Sequence, residues 1–99
     1  MRPAEQRWTL ERFLEQLDLW VEREALHEDV KLLVLPWIQS RLDDPYRGVR
    51  REPDVANLWY GPVPGVRDAE SRIAVGSYFV FESRSVVRCN SFALLSPPI

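Results

Sequence analysis

Apolar residues recur along the first quarter of the chain at helical spacing: Leu10, Phe13, Leu14, Leu17, Trp20 and Val21 form one stripe. Glu11, Arg12, Glu15, Gln16, Asp18, Glu22 and Arg23 fall on the other face. The spacing predicts a helix from an N-cap at Thr9 to about Leu26. A second stripe (Val30, Leu33, Val34, Trp37, Ile38, Leu42) follows Asp29, a candidate cap, and ends by Asp43-Asp44-Pro45. Pro36 interrupts it, since proline lacks a backbone donor and clashes with the preceding turn. A kinked helix, a two-part helix, or a short buried strand over Leu32–Leu35 all remain open, with a kinked or two-part helix favoured.

Residues 45–56 hold two prolines and a glycine and read as a long connection. The period then changes. Leu58 to Val63 reads as a strand closed by the turn Pro64-Gly65, with Pro62 implying an edge or a strand end. Arg67-Asp68-Ala69-Glu70 reads as a polar loop. Ser71 to Glu82 is rich in β-branched and aromatic residues and reads as a long strand. Ile73, Val75, Phe79 and Phe81 share one face of it. Ala74, Tyr78 and Val80 share the other, with Gly76 at a bend or bulge. Ser83-Arg84 makes a turn. Ser85 to Ala93 is the last strand, with Val87 and Cys89 on one face and Val86, Arg88 and Phe92 on the other. Residues 1–8 and 94–99 read as loose tails. The fold class expected is α+β: two N-terminal helices packed on a small twisted antiparallel sheet of three or more strands.

Ninety-nine residues suit a single domain, and the 45% apolar content supplies one core without staples. One cysteine, Cys89, and one histidine, His27, exclude an internal disulfide and a Cys/His metal cluster, and point to the cytoplasm. The longest apolar run, Leu32 to Ile38, is far short of the about 20 residues of a membrane span, so no membrane role is expected. No organic or metal cofactor is implied.

Charge divides the chain. Residues 1–44 carry six basic and ten acidic groups, residues 45–99 seven and five. The basic groups are twelve arginines and Lys31. Arginine suits bidentate contact with phosphate or carboxylate, though a GC-rich coding sequence gives the same enrichment.

Trp37-Ile38-Gln39-Ser40-Arg41-Leu42 with Asp44-Pro45-Tyr46-Arg47-Gly48-Val49-Arg50, then Asn57-Leu58-Trp59, Ser71-Arg72-Ile73-Ala74-Val75-Gly76-Ser77-Tyr78 and Val86-Val87-Arg88-Cys89-Asn90-Ser91-Phe92, resemble successive segments of the RelE/ParE toxin superfamily, over roughly residues 30–92. The resemblance implies helices packed on a twisted antiparallel sheet. For an active member it also implies RNA cleavage on the ribosome, without a metal, or inhibition of a gyrase-like enzyme. A partner antitoxin would dock on sheet and helices. The family begins with a strand, for which Arg7-Trp8-Thr9 is a poor candidate. Its ribonucleases are strongly basic, and they place a tyrosine or histidine where this chain has Ser91 and Phe92.

Arg47, Arg50 and Arg51 are the first candidates for phosphate binding; Glu52 and Asp54 would pair with them if the loop is only solvated. Arg72 and Arg88 would form a basic patch with Tyr78 if they share a sheet face; otherwise they, with Arg84, pair with Glu70 or Glu82. Tyr60 and Tyr78 could serve as base or stacking platform, or simply pack. His27 suits a helix-terminal cap and Cys89 a core thiol. The tryptophans Trp8, Trp20, Trp37 and Trp59 suit core anchors or an interface, and apolar Leu19 on the acidic first helix suits a homodimer or a partner helix. The rival reading is a non-catalytic interaction module that keeps the fold and binds protein.

Overall fold

A computed structural model describes residues 7–97. The elements are β1 (Thr9–Glu11), α1 (Phe13–Arg23), α2 (Asp29–Ser40), β2 (Arg50–Arg51), β3 (Leu58–Arg67), β4 (Ile73–Phe81) and β5 (Val86–Leu95), with a 3-10 turn at Glu82–Arg84. The strands form one five-stranded sheet in the order β1-β5-β4-β3-β2. β1 runs parallel to β5 and every other pairing is antiparallel. The fold is α+β, with two helices against a mixed sheet.

The chain begins differently from its apolar spacing. Thr9 is not a helix cap; it pairs with Val86, and Leu10 and Glu11 follow against Val87 and Arg88. Leu10 therefore serves the sheet, not the helix. Arg12 then takes a left-handed backbone (φ 67°), which turns the chain from strand to helix without a side-chain cap. Residues 1–6 lie outside the described part of the expected N-terminal tail. Within that tail Trp8 is tied down, its N–H donating to the Leu42 carbonyl at 3.1 Å.

α1 buries Phe13, Leu17, Trp20 and Val21. It ends at Arg23, and the Glu24 N–H still bonds the Trp20 carbonyl. Asp29 lies inside α2's first turn, and its N–H donates to His27 Nδ1 at 3.0 Å, so the histidine caps this end. α2 is one helix through Pro36, not two pieces and not a strand. The carbonyl that Pro36 leaves without a helical donor belongs to Leu32, an exposed residue.

The sheet is larger than the three strands expected. Arg50–Arg51 form a short outer strand inside the expected connection, paired with Tyr60 and Trp59. β3 does not close at Pro64-Gly65 but runs to Arg67, with its register to β4 shifting between Pro62 and Arg67. Pro62 and Pro64 lie beyond the reach of β2, where the missing N–H faces an open edge. β5 extends to Leu95, which pairs with Ile73, so residues 94–95 are not a loose tail.

One bulge changes the faces of β5. Ser77 pairs with Ser91 and Tyr78 with Cys89, which leaves Asn90 as the extra residue. Alternation resets there. Phe92 consequently points with Val87 and Cys89 into the core, not with Val86 and Arg88. On β4, Ala74, Tyr78 and Val80 face the helices, and Gly76 admits the ring of Trp37.

Trp20 stacks on Phe92 at 5.6 Å between centroids, and Trp37 meets both Tyr78 and Phe92. Among the described residues the helices cover this one face only. No described helix lies on the opposite face, where Val75 and Val86 are nevertheless buried.

Candidate functional site

Cross-strand register builds the uncovered face. Arg50 lies opposite Tyr60, Tyr60 opposite Ser77, and Ser77 opposite Ser91. Residues opposite one another in a sheet share a face, so the four form a polar row across the centre. Ser77 Oγ lies 3.1 Å from Ser91 Oγ, and Asn90 Nδ2 donates to Ser77 Oγ at 3.0 Å. The bulge that sets the core thus also brings an amide into this row.

On one side the row is flanked by Leu58, Phe79 and Arg88, which share a second row with Glu11. Phe79 stacks on Phe81, and the guanidinium groups of Arg84 and Arg88 sit 4.8 and 5.5 Å from the Phe81 ring centre. Arg51, one residue along β2, points the other way. With Arg84, Tyr46 and Trp59 it lines a cavity of about 560 Å³ at the end of the sheet.

The six sites expected from sequence divide into three groups. Arg50 and Arg51 make no ion pair among the described residues, and neither does Arg84. Arg47 is mostly exposed, and its Nε reaches Asp44 only at 4.0 Å. Glu52 and Asp54 are not partners of this cluster; Glu52 accepts from the Asp54 backbone instead.

Arg72 and Arg88 are committed elsewhere. Arg72 Nε donates to Asp68 Oδ2 at 2.7 Å and lies 3.5 Å from Glu70. Burial of Asp68 alone would raise its carboxyl pKa, but the bonds from the Arg72 side chain and from the Arg72 and Glu70 backbones outweigh it and lower the pKa. Arg88 donates to Glu11 at 2.9 Å, not to Glu82. Glu82 accepts instead from the Tyr46 hydroxyl. Arg72 and Arg88 also stand at opposite ends of the β4–β5 hairpin, about 20 Å apart along the strand.

Tyr78 forms no surface patch. It is fully buried on the helix side, where its hydroxyl donates to the Pro45 carbonyl and accepts from Arg41. Burial raises its pKa, and the Arg41 charge offsets part of that rise. The tyrosine on the open face is Tyr60, one strand over.

Sequence reasoning passed over Arg41, although it is the charged side chain most deeply buried among the described residues. Its position at the end of a helical stripe gave no signal, because an arginine there suits the helix dipole on the surface equally well.

The row can hold phosphate through Arg50, stack a ring on Tyr60, and offer hydroxyl and amide donors. His27 lies at the helix junction, and Cys89 is buried with its thiol pushed up to about 12 by desolvation, so neither serves this face. No group of three or more His, Cys, Asp or Glu residues converges to hold a metal among the described residues. Among the described residues no helix is long and apolar enough to cross a membrane. The chain matches no family model, no curated protein and no solved structure.

Proposed function

We propose that this chain is a RelE/ParE-like protein, or a diverged relative, that acts on RNA or on a nucleic-acid enzyme through the uncovered face of its sheet. The observation that carries this reading is the row Arg50–Tyr60–Ser77–Ser91, partly exposed and led by an exposed arginine with no ion pair among the described residues. Arg51, which points away from the row, and Arg84 add positive charge around the cavity at the end of the sheet, and Arg47 stands three residues before Arg50. Unpaired arginines attract phosphate, and a neighbouring aromatic ring stacks a base. The order of strand, two helices and antiparallel strands is in keeping with the resemblance. If the protein cleaves RNA, it does so by positioning and by stabilising charge on phosphorus, since the row holds no imidazole or thiol.

A second reading has its own support. Leu58, Phe79 and Phe81 form an apolar strip beside the row, and a strip of this kind suits a protein partner, an antitoxin or a second copy. On that reading the arginines set the partner's orientation and nothing is cleaved.

Tightly induced expression of the wild type and of Arg50→Ala/Arg51→Ala separates the two. Growth arrest with new transcript ends inside translated messages, both lost in the variant, is the outcome expected of a ribonuclease. Arrest without cuts moves the target to a gyrase-like enzyme. Normal growth at high soluble yield sinks the toxin reading and leaves the binding module.

A further inference from the structure

Arg41 follows the last turn of α2 and is 2% exposed. Every hydrogen bond it makes among the described residues goes to a neutral acceptor. Nη1 donates to the Arg47 carbonyl at 2.9 Å and to the Tyr78 hydroxyl at 2.7 Å. Nε and Nη2 donate to Ser40 Oγ at 3.4 and 3.1 Å. The guanidinium lies 4.8 Å from the Trp37 ring centre and 5.9 Å from that of Tyr78. It forms no ion pair with any carboxylate among the described residues.

A guanidinium carries five N–H donors. These four bonds leave one Nη2 hydrogen without an acceptor. The C-terminal end of α2 supplies only about half an opposing charge, and the two rings offset the charge only in part. A buried charge ordinarily has an ionic partner. Here no carboxylate among the described residues supplies one.

Arg41 borders a cavity of about 440 Å³ between α2 and the open edge of β3. Its apolar walls include Pro36, Trp37, Pro62 and Pro64, and Arg47 stands at its rim. The size lies within the range of small-molecule pockets, about 300–1,000 Å³. The walls are rigid: two prolines lie in a strand and one in a helix. Two arginines thus meet a space with apolar walls, one buried beside it and one largely exposed, with only a long contact to Asp44.

We propose that this cavity binds a small organic oxyanion, a carboxylate or phosphate ester carried on a flat apolar body. The anionic head supplies the counter-charge that Arg41 lacks and draws Arg47 inward. The body packs between Trp37 and the proline rings. This site is separate from the polar row, and the inference does not rest on the reading of the sheet face.

The test is an NMR titration of isotope-labelled protein with naphthoate and with its neutral isostere naphthamide, following the Trp37 indole N–H assigned through Trp37→Phe. Naphthoate is expected to shift this resonance saturably and to bind about tenfold more tightly than the amide or better, a full decade of affinity. Arg47→Ala, at an exposed side chain, is expected to weaken binding with an unchanged melting curve. Arg50→Ala/Arg51→Ala is expected to leave it intact, even if the same variant abolishes every effect in the expression experiment. Equal affinity for acid and amide overturns the proposal, as does the absence of a saturable shift. Binding lost in Arg50→Ala/Arg51→Ala but kept in Arg47→Ala overturns it too.

Discussion

The ring of Trp37 fills the space that a side chain at Gly76 would need: a Cβ there would stand 2.5 Å from Cη2 and 2.8 Å from Cζ3. The helix layer reaches the sheet at this point through one indole. Phe92 closes the same space from β5, at 3.2 Å from the same hypothetical Cβ. Gly76→Ala is therefore expected to destabilise the fold by about 1–3 kcal/mol, the usual cost of overpacking a core. Urea unfolding measures it. Trp37→Phe in the same chain is expected to recover part of the loss, since the two changes share one contact.

Pro36 stands inside a continuous α2, and its ring removes the bond that Leu32's carbonyl would otherwise accept. Pro36→Ala restores a donor at an exposed turn. The expected result is a gain in stability of about 1–3 kcal/mol, at or below the full penalty of an interior proline because Leu32 is exposed. A drop in the denaturation midpoint would show that the ring's packing over the cavity matters more than the missing bond.

Two buried groups make the fold sensitive to alkali. Burial raises the Tyr78 hydroxyl above its ordinary value of 10.0, and burial pushes the Cys89 thiol from 9.0 up to about 12. Each is held neutral in the fold and ionises at lower pH in the unfolded chain. Their contribution is complete below the unfolded values and is lost as pH climbs through the folded ones. Stability is expected to hold near neutrality and to fall from about pH 9 upward. Urea midpoints across that range check it, and Tyr78→Phe is expected to flatten the slope. Cys89 is also expected to resist iodoacetamide in the native protein and to react in urea.

The pair Arg88–Glu11 joins the parallel edge strand to its neighbour at 2.9 Å, with both side chains partly in water. Its coupling in a double-mutant cycle is expected to be at most about 1 kcal/mol and to shrink in salt. A larger value would mean that the short strand β1 depends on this pair for its place in the sheet.

The helices and the two long C-terminal strands were legible because their apolar spacing is long enough to fix a period. The missed elements are short. β1 has three residues and β2 two, too few to show alternation, and both exist only because a longer strand offers them an edge. Leu10 misled the reading, since it extends the helical stripe by one position while serving the sheet. Phe92 was assigned to the wrong face because strict alternation has no place for an extra residue at Asn90. At the site, the arginine-rich segment was visible as composition. Which arginines stay unpaired depends on partners distant in sequence: Glu11 lies 77 residues from the arginine it holds. Tyr78 and Tyr60 look alike in sequence, and only strand register puts one under the helices and the other, partly exposed, on the opposite face.

The outer edges of the sheet limit how this molecule can meet others. On one side β2 is a charged stub of two residues, and the rest of that edge carries Pro62 and Pro64. On the other side lies a strand of three residues. Neither border offers the run of free N–H groups that lets strands from separate molecules zip together. Crowded copies of this protein should therefore resist growth into ribbons or fibrils, and anything that recognises the sheet must come down onto its face.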